Sequence, residues 1–289
     1  MKVWIDGRVV DGSEASVPVT DHGFLYGDGV FEGLRVYSRR VFRLDDHLAR
    51  LRAGARFIGL EVPGGVDGLR EVVRDTARAF DRDDAYVRLV VSRGSGALGV
   101  DPASCPTPRV VCIVDEVCLY DEQVLRRGVS MVTSSLRRPA ADALDPRVKS
   151  LNYLGSVLAK REARLHGADE ALLLNDRGQV AEASVANVFA VRGGALATPP
   201  ATDGALEGIT RRTILEIARR DGIAAEERTL GRFDLFAADE VFLTGSGARV
   251  VPVGSLDGQP VGKAGPGPIT RQLTTAYERV VRETGVPID

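Results

Sequence analysis

A polar stretch near the middle of the chain constrains the fold more than any other feature. Residues 118–128 are polar enough to form a linker, and a new apolar strand is predicted to begin directly after them, at 129. With 289 residues, the chain is long enough to form two medium-sized domains, each with its own core. The sequence therefore predicts a smaller N-terminal α/β domain at 1–117, a linker at 118–128 and a larger C-terminal domain at 129–289.

Apolar periodicity predicts strands and helices in both halves. The elements predicted in the first half are a β-meander at 1–37, helices at 39–60 and 69–80, and strands at 85–92 and 109–114. Those predicted in the second half are a strand at 129–134, a loop at 137–146, a helix from Lys149 to about His166, a hairpin at 170–183, a helix that ends at Gly222 and a strand at 240–244. Glycines alternate with aromatic residues late in the meander, which in a strand indicates a bulge or a close approach by another backbone or a ligand.

The composition disfavours nucleic-acid-binding and membrane-bound classes of protein. The net charge is −2, so there is no basic stripe for nucleic acid, and no run of about 18 or more apolar residues predicts a membrane span. Cys105, Cys112 and Cys118 lack the spacing of a disulfide framework or a zinc site, and the three histidines are too dispersed to indicate a metal cluster. A reducing, cytoplasmic setting is the expectation that follows.

Lys149 is the first candidate catalytic residue. It follows a loop that ends in proline, in the segment DPRVKSLNY, and lysine is scarce in this chain: the 38 basic residues include Lys2, Lys149, Lys160 and Lys263, and the others are arginine. Unlike arginine, lysine loses its proton when it is desolvated and then attacks a carbonyl to form a Schiff base. Most lysines lie on the surface, but an Asn and a Tyr follow closely here without an acidic partner, which favours chemistry.

Three further features are candidates for binding an anion. Arg50 lies beside the apolar face of a predicted helix, either as a surface residue or as an inward anion ligand. Thr210 is the expected N-cap of the helix that follows GALEG, where free N–H groups suit a phosphate, although simple capping explains the same pattern. The small-residue turn at 245–248 contains Ser246 and offers further amides.

Two interpretations are open for each of the remaining candidate site residues, which are Glu182 and the pair Tyr86 and Arg88. Glu182 ends a predicted apolar strand and is either exposed to solvent or buried with a partner. Tyr86 and Arg88 are two residues apart in a strand and therefore share a face. They form either a clamp for a carboxylate or part of a structural ion pair.

One motif in the first half is rejected as a dinucleotide site. Residues 94–99 match the pattern GxGxxG after a strand, but a dinucleotide site requires that this motif open a helix. The continuation VDPASCPTP does not form the first turns of a helix.

Together, a reactive lysine, an acid, an arginine and two anion-binding turns are the groups that pyridoxal phosphate requires. The segments that carry these residues resemble the class IV pyridoxal-phosphate aminotransferases, in the order DHGFLYGDGVFEG, HLARL, YVRLVVSRG, DPRVKSLNYL, GADEALLLNDRGQVAEASVANVF, LEGITRR and ADEVFLTGSGARVVPV. The resemblance covers nearly the whole chain. It implies an α+β, two-domain architecture of fold type IV, with the cofactor in the interdomain cleft and a homodimer that completes the site.

The resemblance also implies a role for each candidate residue. Lys149 matches the lysine that forms the Schiff base, Glu182 the acid that pairs with the pyridine nitrogen, and Tyr153 the partner of the ring hydroxyl. The residues implied in cofactor binding besides these are Arg50, Ile209, Thr210 and Ser246 at the phosphate and Leu206 on the ring face. Those implied in substrate binding are Tyr86 and Arg88 with the backbone of Gly247 and Ala248 at the carboxylate, and Tyr26 and Phe31 as pocket walls.

The implied activity is transamination from a branched-chain or other aliphatic L-amino acid to 2-oxoglutarate by a ping-pong mechanism. Its expected partners are thus a small-molecule amino acid and a 2-oxo acid. Two departures from the branched-chain pattern leave the substrate open: ASVAN at 183–187 replaces a glycine-rich segment, and GSGAR at 245–249 replaces GTAAE. The alternatives within the family are a D-amino-acid or (R)-amine transaminase and an aminodeoxychorismate lyase. A non-catalytic carrier of the cofactor is disfavoured, because the lysine, the acid and both turns are present.

Overall fold

A computed structural model of the protein describes residues 1–116, 120–263 and 265–289. Its strands are β1 (Lys2–Ile5), β2 (Arg8–Asp11), β3 (Gly29–Tyr37), β4 (Arg40–Val41), β5 (Ala85–Ser92), β6 (Arg109–Asp115), β7 (Val129–Arg137), β8 (Glu170–Leu174), β9 (Val180–Ala183), β10 (Asn187–Arg192), β11 (Ala195–Thr198), β12 (Ala225–Glu227), β13 (Glu240–Gly245), β14 (Arg249–Leu256), β15 (Gln259–Pro260) and β16 (Val286–Pro287). Its helices are α1 (His22–Tyr26), α2 (Leu44–Phe57), α3 (Gly65–Phe80), α4 (Glu122–Arg127), α5 (Ala141–Leu144), α6 (Leu154–Leu165), α7 (Ile209–Arg220), α8 (Arg232–Phe236) and α9 (Pro268–Glu283).

The chain forms two compact units that are not simple halves of the sequence. The first unit comprises Met1–Val117, Val148–Asn152 and Val281–Asp289, and the second comprises Cys118–Arg147 and Tyr153–Val280. The short piece Val148–Asn152, called the lysine segment below, therefore belongs to the first unit. The predicted domain boundaries stay a prediction, and the start of the predicted linker, including Cys118, lies outside the described residues.

An antiparallel sheet organises the first unit, with the strand order β16-β4-β3-β5-β6-β1-β2. The strand β5 alternates, as predicted, between buried apolar residues such as Val87 and Leu89 and the less buried Tyr86 and Arg88. The apolar face joins a core that α2 and α3 complete, with Leu48 and Val73 among its fully buried residues. The opposite face of β3 and β5 is therefore available to carry polar and aromatic groups.

A mixed sheet organises the second unit, with the order β12-β11-β10-β13-β14-β7-β8-β9 and β15 paired to β14. The strand β7 runs parallel to both β14 and β8, whereas β10, β13 and β14 pair antiparallel. The predicted hairpin at 170–183 is formed by β8 and β9. Within the described residues, no helix is both long enough and apolar enough to cross a membrane.

Local structure differs from the sequence-based predictions in five places. The helix predicted to begin at Lys149 begins at Leu154, as α6, and the helix predicted at 39–60 is α2, which β4 precedes at Arg40–Val41. The glycine-rich part of the meander is not a strand throughout, because Asp21 accepts from the N–H of Gly23 and begins α1, and Gly27 ends it with φ +69°. The predicted linker contains the helix α4, which Asp121 caps by accepting from the N–H of Val124. Thr210 is not an N-cap: α7 begins at Ile209, after Gly208.

Candidate active site

Lys149 lies on a segment that runs beside the beginning of β3 in the first unit. The N–H of Phe31 donates to the Lys149 carbonyl at 2.9 Å, and the N–H of Leu151 donates to the Gly29 carbonyl at 2.9 Å. A Cβ at position 29 would lie 2.6 Å from the Val91 carbonyl oxygen on β5 and 2.7 Å from Leu151 Cδ1 in the lysine segment, so position 29 requires glycine. The pairing fixes the backbone of Lys149, and its Nζ lies 4.6 Å from the centroid of the Phe31 ring.

The face of the sheet that carries Phe31 also holds Arg88 between two aromatic rings. Gly33 lies opposite Arg88 in the register of β3 and β5, so Phe31, Tyr86 and Arg88 project from the same face. The Cζ atom of Arg88 is 4.4 Å from the Phe31 ring centroid and 5.8 Å from that of Tyr86. A guanidinium that is stacked through its face presents its N–H groups at its edge, where a carboxylate binds in a bidentate manner. The choice between the carboxylate clamp and the structural ion pair stays a prediction.

Tyr26 lies at the end of α1, on an element that is tied to the lysine segment. Its ring packs edge-on against His22 at 4.9 Å, and its hydroxyl accepts from the N–H of Gly99 at 2.8 Å. The side-chain amide of Asn152, in the lysine segment, donates to the Gly27 carbonyl at 2.9 Å. The loop that carries the rejected GxGxxG pattern thus contacts a candidate pocket residue, and it does not open an α-helix.

Arg50 is an inward residue of α2 whose partner is Glu32 on β3. Its Nε and Nη2 atoms donate to the two carboxylate oxygens of Glu32, both at 2.7 Å. The Nδ1 atom of His47 lies 2.6 Å from Glu32 Oε2. Burial opposes ionisation of Glu32, but Arg50 and His47 together lower its pKa to about 2, so the carboxylate is charged at neutral pH.

Glu182 is a buried, partnered acid in the second unit. It is 4% exposed and forms an ion pair with Arg138. The N–H of Leu206 donates to Glu182 Oε2 at 3.1 Å, and the amide of Asn187 donates to the same oxygen at 3.2 Å and to the Leu206 carbonyl at 2.9 Å. Of the two fates left open by the sequence, the structure shows the buried one. The carboxylate and the backbone at Leu206 are therefore held together as one rigid piece.

The N-terminus of α7 begins next to this piece. Gly208 precedes the helix without a side-chain cap, and a Cβ there would lie 1.9 Å from Asn187 Oδ1. The N–H groups of Ile209 and Thr210 belong to the first turn of the helix, where no intrahelical acceptor exists, and they lie at the positive end of the helix dipole. Thr210 is 2% exposed. This end of the helix has the amides and the dipole that suit a phosphate.

The second predicted anion-binding turn joins β13 to β14. Gly245 and Arg249 pair across it, so Ser246, Gly247 and Ala248 form the turn itself, and each is half-buried. Thr244, which precedes the turn, is fully buried and sits opposite Asn187 in the register of β10 and β13. Its Oγ1 has no hydrogen-bond partner among the atoms that the structure describes. A polar group at this end of the sheet would satisfy it.

Tyr153 is the residue immediately before α6, and it is half-buried. Three residues later, Ser156 Oγ lies 3.5 Å from Nη1 of Arg138, the partner of Glu182. The helix that follows Tyr153 thus contacts the group that neutralises Glu182.

Sequence reasoning missed four residues that hold these groups in place. Arg138 and Asn187 bind Glu182, whereas Glu32 binds Arg50 and His47 binds Glu32. One signal was present: His47 and Arg50 are three residues apart on a predicted helix and therefore share a face. For the four pairings themselves, the sequence contained no spacing rule, because the partners come from separate elements.

Most of the chain matches one family model. Residues 29–256 match the model described as amino-transferase class IV. The chain belongs to the class IV aminotransferases.

Individual relatives of this aminotransferase cover almost its whole length. It is 42% identical over 289 residues to a putative branched-chain-amino-acid aminotransferase of Methanocaldococcus jannaschii, which spans 100% of this chain and 99% of that protein. It is 34% identical to a D-alanine aminotransferase of Bacillus licheniformis over 281 residues, 97% of each protein. The crystal structure of a branched-chain aminotransferase from the archaeon Thermoproteus uzoniensis with norvaline superposes with a TM-score of 0.91 at 39% identity, covering 98% of this chain and 95% of the other. The predicted α+β, type IV fold is therefore confirmed.

In this aminotransferase, Gly33 allows Tyr86 to lie over β3. A Cβ at position 33 would lie 2.4 Å from the Tyr86 hydroxyl oxygen, so the Gly33→Ala substitution must displace that ring. If Tyr86 helps to bind the substrate carboxylate, the KM for the amino acid is expected to rise about tenfold or more, with a smaller change in kcat. Steady-state kinetics measure both constants. The matched control is Gly68→Ala in α3, where the new Cβ would be 3.6 Å from the Pro63 carbonyl oxygen. If Gly33→Ala and this control have the same KM, the substrate-binding role of Tyr86 is contradicted.

Proposed function

We propose that this aminotransferase moves the amino group of a branched-chain or other aliphatic L-amino acid to 2-oxoglutarate, with pyridoxal 5'-phosphate as cofactor. The observation that carries the proposal is the group of side chains beside β3. Lys149 supplies an amine, Arg88 supplies a cation for a carboxylate, and both lie against the ring of Phe31. An amine, a carboxylate-binding cation and an apolar wall are what an aliphatic amino acid needs. The branched-chain relatives support the same substrate class.

The residues of the second unit fit the cofactor. Glu182 is paired with Arg138 and lies beside the backbone of Leu206, so its carboxylate suits a protonated pyridine nitrogen with Leu206 against the ring. The amides at the start of α7 and the hydroxyl of Ser246 suit the phosphate, as does Arg50 in the first unit. The unpartnered hydroxyl of Thr244 also needs a polar neighbour.

When bound, pyridoxal phosphate supplies a ring that accepts electrons as the substrate Cα loses its proton. Lys149 provides the amine that holds the cofactor and, once released from it, takes the proton from Cα as a general base. Lysine suits this role because its Nζ can lose a proton, which arginine does not do. Glu182 keeps a proton at the pyridine nitrogen, and Tyr153 donates to the ring hydroxyl. Arg88 and Tyr86 would bind the substrate carboxylate, for which the amides of Gly247 and Ala248 are further candidates.

The proposals for the acceptor and the kinetic mechanism both start from one requirement, which is that the same carboxylate-binding groups serve both substrates. An aminotransferase must release one 2-oxo acid and bind another, so the same clamp must accept each carboxylate in turn. We propose 2-oxoglutarate as the acceptor and a ping-pong order, in which the amino group resides on the enzyme between the two substrates. Parallel lines in double-reciprocal plots at several 2-oxoglutarate concentrations are expected, and intersecting lines would contradict the ping-pong order.

A D-amino-acid substrate is the second candidate. The segment 183–187 departs from the glycine-rich pattern, and its Asn187 binds both Glu182 and the Leu206 carbonyl. The similarity to the D-alanine aminotransferase of Bacillus licheniformis supports this candidate. The change lies beside the proposed position of the cofactor ring, and not at the carboxylate clamp, so we place it second.

The absorbance spectrum of the protein with pyridoxal phosphate separates the candidates. Loss of the long-wavelength band with L-leucine, but not with D-alanine, is the expected result. Loss with D-alanine alone would assign the D-amino-acid reaction. A stable band with both donors, together with release of pyruvate from aminodeoxychorismate, would assign the lyase reaction. The absence of any long-wavelength band would contradict the cofactor proposal.

We also propose that the aminotransferase is a homodimer. In the first unit, Phe24, Leu98 and Val100 are 72%, 83% and 79% exposed, a degree of exposure that favours coverage by a second copy of the chain. Sedimentation velocity is expected to give twice the mass of one chain, and a monomer at micromolar concentration would contradict the proposal. The cytoplasmic setting stays a prediction.

A further inference from the structure

We propose that Glu32 and His47 form a positioning pair that fixes the guanidinium of Arg50 for the phosphate of the cofactor. The proposal rests on the proposed function, because it takes Arg50 as a phosphate ligand. It adds two residues to that function, neither of which touches the cofactor. They are positioning residues that act through Arg50.

The geometry shows how the pair restrains Arg50. His47 and Arg50 lie three residues apart on α2 and face β3, where Glu32 is completely buried. One Glu32 oxygen accepts from Arg50 Nε, and the other accepts from both Arg50 Nη2 and His47 Nδ1. The Nε–Nη2 edge of the guanidinium is thereby committed to Glu32. A phosphate that binds Arg50 must use the remaining N–H groups of Nη1 and Nη2, whose directions are fixed by the planar fork.

The charges of the three groups add to zero before any phosphate binds. Glu32 is ionised, as its pKa of about 2 requires. His47 faces Glu32, Arg50 and, at longer range, Lys149; burial lowers its pKa and outweighs the effect of Glu32, so it is neutral and donates its Nδ1 proton to the carboxylate. Glu32 therefore cancels much of the positive field of Arg50. The pair contributes orientation to phosphate binding, because the Arg50 side chain has already lost its rotamer freedom and its water.

The direction in which the Glu32→Gln substitution changes the affinity for phosphate distinguishes an effect of charge from an effect of orientation. The Glu32→Gln substitution removes a negative charge near the proposed phosphate-binding arginine and also removes its bidentate acceptor. If charge alone governed affinity, the variant would bind the phosphate more tightly. If orientation governs it, the variant binds the phosphate more weakly. The Glu32→Asp substitution keeps the charge and shortens the side chain by one methylene, so it tests the geometry by itself.

The experiment compares pyridoxal 5'-phosphate with pyridoxal, which lacks the phosphate. Dissociation constants are measured by absorbance titration of the full-length protein after removal of bound cofactor. The Kd for pyridoxal divided by the Kd for pyridoxal 5'-phosphate, called the ratio below, isolates the phosphate contribution. We expect Glu32→Gln and Glu32→Asp each to reduce this ratio about tenfold or more. The Arg50→Gln substitution is expected to reduce it at least as far. We expect His47→Asn, which can retain a donor near Nδ1, to reduce it less than either Glu32 variant.

A matched control separates positioning from general stability. Arg93 and Asp28 form another bidentate pair in the first unit, with distances of 2.9 and 3.0 Å. The Asp28→Asn substitution is expected to lower the thermal unfolding midpoint without changing the ratio. If Glu32→Gln does not fold, Glu32→Asp provides the test.

The outcomes distinguish failure of the inference from failure of the function. An unchanged or increased ratio in the Glu32 variants, with a normal wild-type spectrum and a reduced ratio in Arg50→Gln, would overturn the positioning role alone. An unchanged ratio in Arg50→Gln would overturn the role of Arg50 and the pair with it. A wild-type protein without a long-wavelength band would contradict the proposed function, and the inference would fall with it.

Discussion

The Lys149→Ala substitution is expected to lower the transamination rate by at least about 10³-fold, because it removes both the nucleophile and the proposed general base. The lysine segment is fixed by backbone hydrogen bonds to β3, which the substitution leaves in place. The fold is therefore expected to survive, and circular dichroism and the unfolding midpoint are expected to match those of the wild type. Amino-acid-dependent formation of the 2-oxo acid measures the loss.

Two variants serve as controls for Lys149. Lys160 is a second lysine near an acid, with its Nζ 2.6 Å from the Asp169 carbonyl oxygen and 3.0 Å from Glu170. We expect Lys160→Ala to reduce stability and to retain most of the activity. Lys149→Arg keeps the positive charge but does not lose its proton, so we expect it to be as inactive as the alanine variant. Activity in Lys149→Arg near the wild-type value would contradict the proposed chemistry.

The Glu182→Gln substitution is expected to lower kcat by about 100-fold or more. An amide in this position does not keep a proton on the pyridine nitrogen, so the bound cofactor accepts electrons less readily. The substitution also leaves Arg138 without its carboxylate, and the unfolding midpoint is expected to fall. Single-turnover absorbance changes with L-leucine measure the chemical step apart from binding.

Glu170 offers the matched control for that substitution. It is completely buried in the same unit and binds a cation, Lys160, at 3.0 Å. It also accepts from the hydroxyls of Ser184, at 2.5 Å, and Tyr120, at 3.2 Å, and from the N–H of Ala171, at 2.8 Å. We expect Glu170→Gln to lower the unfolding midpoint to a similar extent while the rate of the chemical step stays within a few-fold of the wild type. Equal losses of rate in both variants would show that the effect of Glu182→Gln arises from instability.

The parts of the fold that the sequence predicted are those in which local pattern and burial agree. The alternation in AYVRLVVS places Tyr86 and Arg88 on one face, and the strand β5 has that arrangement. The turn at 176–178 joins two apolar runs, and β8 and β9 pair across it. In both cases the information lies within about ten residues, where periodicity and turn chemistry suffice.

The parts that the sequence did not predict have two causes. The helix α1 replaced a predicted strand because Asp21 and Gly27 supply local caps that outweigh the apolar alternation. The lysine segment joined the first unit through backbone hydrogen bonds to β3, more than 100 positions earlier in the chain. No local rule predicts that pairing.

The candidate site also contains residues that the sequence predicted and residues that only the structure identifies. The residue types needed for chemistry, such as Lys149 and Glu182, were recognisable because their neighbours in sequence resemble a family. The residues that hold Glu182, which are Asn187 and Arg138, act through hydrogen bonds and an ion pair between separate elements, and such side chains occur in many ordinary structural roles. Their positions relative to Glu182 become apparent only when the strands are paired.

Chemical mapping of the lysine that holds the cofactor tests the central claim most directly. Borohydride joins the cofactor irreversibly to the lysine amine that carries it, and the chain has four lysines, Lys2, Lys149, Lys160 and Lys263, which give a small set of outcomes. After reduction of the protein with pyridoxal phosphate, proteolysis and mass spectrometry are expected to find the adduct on Lys149, at a stoichiometry near one per chain. An adduct at high stoichiometry on one of the other three lysines, with Lys149 unmodified, would contradict the account.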